Sequence, residues 1–171
     1  TLKAVKKHPQ MRKRLGKNQG RGMACGFWFN FGGQTCADLM IEEDGTVALS
    51  VGTVDVGGAR ASLSLICAEE LGIPYEQVRA NIADTASLGH TDMTDGSRGT
   101  FASGMSTIFA ARDAIEKLKD RAAKMWKTNV KNVEWKDGKA IWKGKRKHLS
   151  VADIAAKSAR TGGPISGHNQ V

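Results

Sequence analysis

Two short runs hold the residues whose types and spacing suit chemistry: Asp55-Val56-Gly57-Gly58-Ala59-Arg60 and Thr94-Asp95-Gly96-Ser97-Arg98-Gly99. Each combines glycines with an acid and an arginine, and each stands before a segment with helical spacing. Paired glycines let a backbone turn through positive φ and approach a ligand closely. The first N–H groups of a helix lack intrahelical partners and sit at its positive end. A glycine corner joined to a helix start therefore aims bare N–H groups at one spot, which suits an anion or an oxygen-rich cofactor. Either run alone also reads as a tight corner with no ligand. Their repetition within one small chain favours a shared oxyanionic ligand.

Two common phosphate loops are excluded. Gly52 and Gly57 have the glycine spacing of a Walker loop, but Gly58-Ala59 follows, so no lysine reaches a terminal phosphate. The G-x-G-x-x-G fingerprint of a dinucleotide fold is also missing between strand and helix.

The elements that must position the two runs are legible from periodicity. Val47, Leu49 and Val51 alternate with Ala48 and Ser50, predicting a strand that feeds the first run. A helix follows, with Leu63, Ile66, Cys67 and Leu71 toward one side, and Gly72 before Pro74 stops it. Val78–Ala83 reads as a short strand leading into the second loop. Beyond that loop, Phe101, Met105, Ile108, Ala111, Ile115, Leu118, Ala122 and Met125 form a stripe that predicts a long helix. Ser97 or Asp95 is its expected N-cap.

Upstream, Met23, Cys25, Phe27, Phe29 and Phe31 alternate, with Trp28 opposite, and predict a strand. Such a strand either lies in a core or stacks bases in an RNA-binding sheet. Gly32-Gly33 turns the chain into a partner strand, Thr35–Ile41, and Glu43-Asp44-Gly45 is a hairpin turn into the Val47 strand. Downstream, a hairpin is expected about Lys136-Asp137-Gly138-Lys139, with Trp135 and Trp142 as packing anchors. Ser150 and Asp153 have capping-box spacing, and Arg160–Gly167 reads as a loop.

At 171 residues the chain is long enough for one core, and no apolar run approaches the length of a membrane span. The net charge of +9 is unevenly placed. Residues 1–21 carry eight Lys/Arg and no acid, and residues 117–147 carry twelve Lys/Arg against three acids. Residues 22–116, which hold both motif runs, carry four Arg against thirteen acids. A nucleic-acid protein places its basic residues beside its glycine loops and aromatics, which is not the pattern here. The basic ends are expected to pack on acidic neighbours, in this domain or in a further part of a larger protein. Cys25, Cys36 and Cys67 are odd in number and far apart, and read as reduced core thiols of a cytoplasmic protein. No CxxC pair is present and the four histidines are scattered, so no metal held directly by side chains is expected.

Three stretches, GRGMACGFWFNFGGQ, GTVDVGGARASLSLICAEELGIPYEQV and ADTASLGHTDMTDGSRGTFASGM, resemble the molybdenum-binding large subunit of one enzyme family. It is the xanthine dehydrogenase/aldehyde oxidase/carbon monoxide dehydrogenase family. The likeness runs from about Asn18 to Met125; residues 127–171 match loosely. It implies that residues 20–171 are part of a molybdopterin-binding domain within a larger subunit, with 1–19 as a linker or the end of a preceding element. It also implies a molybdopterin cofactor, commonly a cytosine dinucleotide in bacteria. The reaction would be hydroxylation of a carbon centre of an aldehyde, heteroaromatic or similar small molecule, with water as the oxygen source. Electrons would leave through iron–sulfur clusters to FAD, carried by partner chains or domains.

By the same resemblance, Val56, Gly57, Gly58 and Arg60 belong to a pterin-contacting loop. Asp95, Gly96, Ser97, Arg98 and Gly99 belong to one that wraps the pterin and its pyrophosphate. Arg60 and Arg98 either pair with phosphate bidentately or form ion pairs with surrounding acids. Many relatives carry glutamine where Gly58 stands here, which exchanges a side-chain contact for backbone. The motif that carries the family's catalytic glutamate is absent from these residues, as is the loop beside molybdenum. No catalytic residue is assigned, and the isolated chain is expected to be inactive.

The expected architecture is α+β: a two-layer domain with a mixed sheet and helices mainly on one face, the longest starting near Ser97. The reading from another class is a non-catalytic binding module, either an RNA-binding sheet or a subunit-docking domain.

Overall fold

Alternation along Val47, Leu49 and Val51 makes one face of a strand apolar, and that face carries the core of the computed structural model, which describes residues 1–170. The chain begins with two exposed helical turns, α1 (Leu2–Lys7) and α2 (Pro9–Arg12). Pro9 separates them: it lacks an N–H to continue α1 but suits the first position of α2. An irregular run leads to β1 (Cys36–Ile41), which turns at Glu42–Gly45 into antiparallel β2 (Val47–Val51).

Helix α3 (Ala59–Leu71) then returns the chain so that β3 (Val78–Ile82) lies parallel to β2. A parallel pair requires such a crossover, so these elements form a β–α–β unit. Gly58 and Gly72 flank α3 in the left-handed conformation, at φ of 80° and 75°. The long helix α4 (Gly104–Trp126) follows. Next come a three-stranded antiparallel sheet of β4 (Val133–Lys136), β5 (Lys139–Trp142) and β6 (His148–Ser150), then short helices α5 (Val151–Ala155) and α6 (Ser158–Thr161). The last strand, β7 (Ile165–Gln170), pairs antiparallel with β1, giving a main sheet of order β3-β2-β1-β7.

Helices α3 and α4 cover one face of that sheet. Leu63, Cys67, Leu71, Ala110, Ala114 and Leu118 share one buried cluster with Ala37, Leu39, Leu49 and Ile165. The architecture is therefore the expected α+β arrangement of a mixed sheet with helices on one face. The hairpin, the tryptophan anchors and the capping box are also present. Asp137 and Gly138 turn at positive φ, Trp135 donates to Leu71 O at 3.0 Å, Trp142 stacks on Trp126 at 5.6 Å, and Ser150 and Asp153 cap α5 reciprocally.

Five expectations are corrected. Met23–Phe31 is not a strand, and Phe27 and Trp28 are 89% and 73% exposed. The place beside β1 is taken by β7, from the tail read as a loop, so the aromatic run has no edge to join. Cys25 lies in that run and is exposed rather than a core thiol. The α4 stripe also shifts: Phe101 is 57% exposed, and the buried face of its first turns is Gly104, Ser106, Thr107 and Ala110. Small residues are selected there because β7 passes close, with Ala110 O against Gly167. Finally, neither Ser97 nor Asp95 is an N-cap. A π-helical turn, Gly99–Ser103, precedes α4, and Arg98 stands at the cap position without a side-chain cap bond. Single π-turns of this kind are frequent at functional sites.

Candidate functional site

Both corners adopt the same backbone device. Gly57 and Gly58 have φ of 65° and 80°; Gly96 and Ser97 have φ of 53° and 57°. In each corner the last left-handed residue meets a right-handed one, Gly58 before Ala59 and Ser97 before Arg98. Such a pair turns neighbouring N–H groups toward one side, an anion-accepting concavity. The first corner lies at the carboxyl end of β2, just before α3, and the second lies just before the π-turn that opens α4. Ligands bind at the carboxyl ends of parallel strands because crossover helices point their N-termini there.

The corners converge. A hollow of about 240 Å³ is lined by Thr53, Val54, Val56 and Ala59 from the first, and by Thr94, Ser97, Gly99 and Thr100 from the second. Its lining holds no charged side chain. It offers hydroxyls and N–H groups, and among the described residues no protein acceptor meets the N–H of Gly57, Gly58, Ala59, Ser97 or Gly99. A donor set of this kind fits an oxygen-rich, anionic group. A second hollow, about 310 Å³, adjoins it and shares Thr53 and Val54. Buried Thr91 Oγ1, which has no hydrogen-bond partner, belongs to its lining.

Of the residues expected in the site, Val56, Ser97 and Gly99 line the hollow, while Gly57 and Gly58 form the adjoining corner. Asp95 faces its own loop: its carboxylate accepts from Gly96 N at 2.7 Å, and its carbonyl accepts from Arg98 N at 3.1 Å. Gly96 is buried beneath Phe31, where a Cβ would strike the Phe31 side chain. Arg60 pairs with Asp55 at 3.2 Å and donates to Ala80 O at 2.6 Å, so its guanidinium braces α3 against β3.

Arg98 takes neither of the two expected roles. It is 1% exposed, and all five of its N–H groups donate to protein oxygens. Nη1 reaches Asp92 O at 2.7 Å and Met93 O at 3.4 Å, Nη2 reaches Gln34 O at 2.6 Å and Thr35 Oγ1 at 2.5 Å, and Nε reaches Gly32 O. Arg98 therefore ties the Gly32–Thr35 segment to the second corner. Asn30 adds a bond to Ser97 O at 2.7 Å, and Phe31 N donates to Gly96 O at 3.0 Å. The aromatic run misread as a strand is thus a strap over this corner.

The carboxylates nearby are braces too. Asp55 is held below the usual carboxylate range by the Arg60 backbone N–H, and Asp84 by the Ser87 hydroxyl. Asp92 is lowered chiefly by the Gln34 N–H, then by His90. Each stays ionised at neutral pH and is a weak base, so none is tuned for proton transfer.

Sequence reasoning missed Thr53, Val54 and Thr100, and it placed Thr94 in the second run without giving it a contact of its own. One signal was available: Thr91, Thr94, Ser97 and Thr100 place a hydroxyl at every third residue, and the last three border the hollow. Among the described residues, no helix is long and apolar enough to cross a membrane.

Comparison with known proteins bears on what fills the hollow. A family profile described as "Molybdopterin cofactor-binding domain" matches residues 2–171. The chain is 32% identical over 120 residues to the carbon monoxide dehydrogenase large chain of Hydrogenophaga pseudoflava, covering 69% of this chain and 15% of that one. It is 30% identical over 123 residues to the aldehyde oxidoreductase molybdenum-binding subunit PaoC of Escherichia coli (strain K12), covering 70% and 16%. The solved structure of a Cu,Mo-CO dehydrogenase superposes with a TM-score of 0.75 at 26% identity, over 80% of this chain and 18% of that one. The chain thus spans about a sixth of the length of these relatives.

Proposed function

This chain belongs to the molybdopterin cofactor-binding domain family of molybdenum hydroxylases, and from that we propose that its two glycine corners form one wall of the cofactor site. The observation that carries the proposal is the shared hollow: unpaired N–H groups and hydroxyls from both corners meet at one place. At about 240 Å³ it is smaller than the roughly 300–1,000 Å³ of a complete ligand pocket. The rest of the large subunit supplies the remaining walls.

When bound, the cofactor supplies redox chemistry and oxygen transfer that protein side chains lack. The contribution of this chain is to bind and orient. Gly57, Gly58 and Ala59 donate N–H groups to cofactor oxygens from one side, while Ser97, Gly99 and the hydroxyls of Thr94 and Thr100 donate from the other. The N-terminal end of α3 adds its positive field. Arg98 and the Asn30–Phe31 strap keep the second corner in its left-handed form. Donors fixed before binding avoid reorganisation later, and placement to a fraction of an ångström is what such catalysis requires. The adjoining 310 Å³ hollow, with the free Thr91 hydroxyl, gives the distal end of a dinucleotide cofactor a place to lie.

The assembled enzyme, on this reading, hydroxylates a carbon centre of a small aldehyde or heteroaromatic molecule. Its electrons pass to iron–sulfur and FAD partners, in keeping with relatives described as a large chain and a molybdenum-binding subunit. The free cysteines suit a reducing, cytoplasmic compartment. The RNA-binding alternative loses its main support, because the aromatic run is not part of a sheet.

The test is cofactor content of the complete enzyme. Gly57→Val puts a β-branched residue at φ of 65°, where open space surrounds the site but the backbone does not tolerate it. Molybdenum and pterin per large subunit are expected to fall together in Gly57→Val, and to stay at the parent level in Gly144→Ala, far from the hollow. Full cofactor content in Gly57→Val overturns the assignment.

A further inference from the structure

On the sheet face that α3 and α4 leave uncovered, behind Gly89 of the 310 Å³ hollow, three metal-ligating side chains meet. Cys36 and Asp38 lie two residues apart on β1 and so point to the same side. His168 on β7 stands directly opposite Asp38 in the antiparallel register. The His168 N–H points outward to Asp113 Oδ2 at 3.0 Å. Asp38 and His168 are therefore a pair that exchanges no backbone hydrogen bonds, the kind in which side chains come closest. The result is short: His168 Nδ1 to Asp38 Oδ1 is 2.5 Å, and Cys36 Sγ to Asp38 Oδ2 is 3.5 Å. One sulfur, one carboxylate oxygen and one imidazole nitrogen all lie within 4.8 Å of one another.

We propose that Cys36, Asp38 and His168, none of which lines either hollow, form a binding site for a divalent metal of the Zn²⁺ class. The donor set decides the class. Thiolate and imidazole select a borderline-soft ion over Mg²⁺ or Ca²⁺, which take oxygen ligands. Three protein ligands leave one tetrahedral position for water. Zinc bonds of about 2.0–2.3 Å place donors roughly 3.5 Å apart, so the cluster closes around an ion by side-chain rotation alone. His168 and Asp38 are half exposed and free to rotate, at 57% and 49% of side-chain surface. The rear is rigid: Cys36 is buried, its N–H bonds His90 O at 2.9 Å, and a Cβ on Gly89 would collide with its sulfur. On binding, the Cys36 thiol proton and any proton shared by His168 and Asp38 pass to solvent, and the ion takes their place.

The test is titration of the full chain, purified free of molybdenum cofactor, with Zn²⁺ alone and then with Co²⁺ as a coloured substitute. One equivalent is expected to bind, and Co²⁺ is expected to show a thiolate charge-transfer band. Cys36→Ser should abolish that band. His168→Gln, at an exposed position that leaves the fold intact, should weaken Zn²⁺ binding at least about ten-fold, the smallest loss typical even of an outer-shell partner. Cys25→Ser should change neither. Absence of the band in the parent chain, its survival in Cys36→Ser, or equal Zn²⁺ affinity in His168→Gln overturns the site. Because the assay contains no pterin, its failure leaves the cofactor reading untouched.

Discussion

Gly167 of β7 lies against the Ala110 carbonyl of α4 so closely that a Cβ on the glycine would overlap that oxygen and a methyl of Leu39. The contact sets the distance between the two layers, and it explains why α4 presents Ser106, Thr107 and Ala110 to the sheet rather than its larger apolar residues. Gly167→Ala is expected to destabilise the protein by about 3 kcal/mol, the upper range for overpacking. Urea unfolding checks this, and a loss below about 1 kcal/mol would mean that the layers slide apart freely.

Arg98→Lys keeps the charge but loses the fork that holds five oxygens at once. It leaves buried carbonyls unpaired and should cost roughly 3 kcal/mol. Hydrogen exchange is expected to rise in residues 30–35 and 94–100 before anywhere else. Cofactor content of the complete enzyme should fall too, although the guanidinium does not line the hollow.

Ser97→Gly separates stability from function. Serine at φ of 57° carries a left-handed penalty that glycine lacks. The thermal midpoint should therefore rise, by the equivalent of about 1 kcal/mol. Molybdenum retention should drop, because the hydroxyl that borders the hollow is gone. A variant that is both more stable and fully loaded would show that the Ser97 hydroxyl makes no contact, and would leave only its N–H in the site.

Acid should release the strap. The Gln34 N–H and His90 hold Asp92 below its ordinary value of 3.8. The folded state thus binds that proton less readily than the unfolded state. The contribution of Asp92 is complete above pH 3.8 and is lost as pH falls through the lower folded value. Stability of the parent should fall with acid in that window, and Asp92→Asn should flatten the slope there while leaving behaviour above pH 5 parallel to the parent. Thermal midpoints measured from pH 2.5 to 6 check the sign.

Much of this fold was readable because it rests on local patterns. The β2 alternation, the glycines bracketing α3, the Asp137-Gly138 turn and the Ser150–Asp153 box each specify backbone shape within a few residues. Both glycine corners were legible for the same reason, since left-handed backbone leaves a compositional mark. The misreadings share one cause. Met23–Phe31 has strand alternation, and Ile165–Gln170 has almost none, yet only the second finds a free edge beside β1. Pairing depends on what else is near, not on the segment alone.

The sequence by itself determined where the chain turns, which strand face is apolar and which backbone amides lack partners, because these follow from side-chain type over short spans. Only tertiary structure decided what those features meet. It brought the Val56 and Ser97 corners to one hollow, turned Arg98 inward to brace the strap, and set His168 beside Cys36 and Asp38 across 130 residues. Such meetings depend on the register of β1 with β7 and on how α4 seats against the sheet. Both are settled by close packing between distant segments, which leaves no periodic signal in either one.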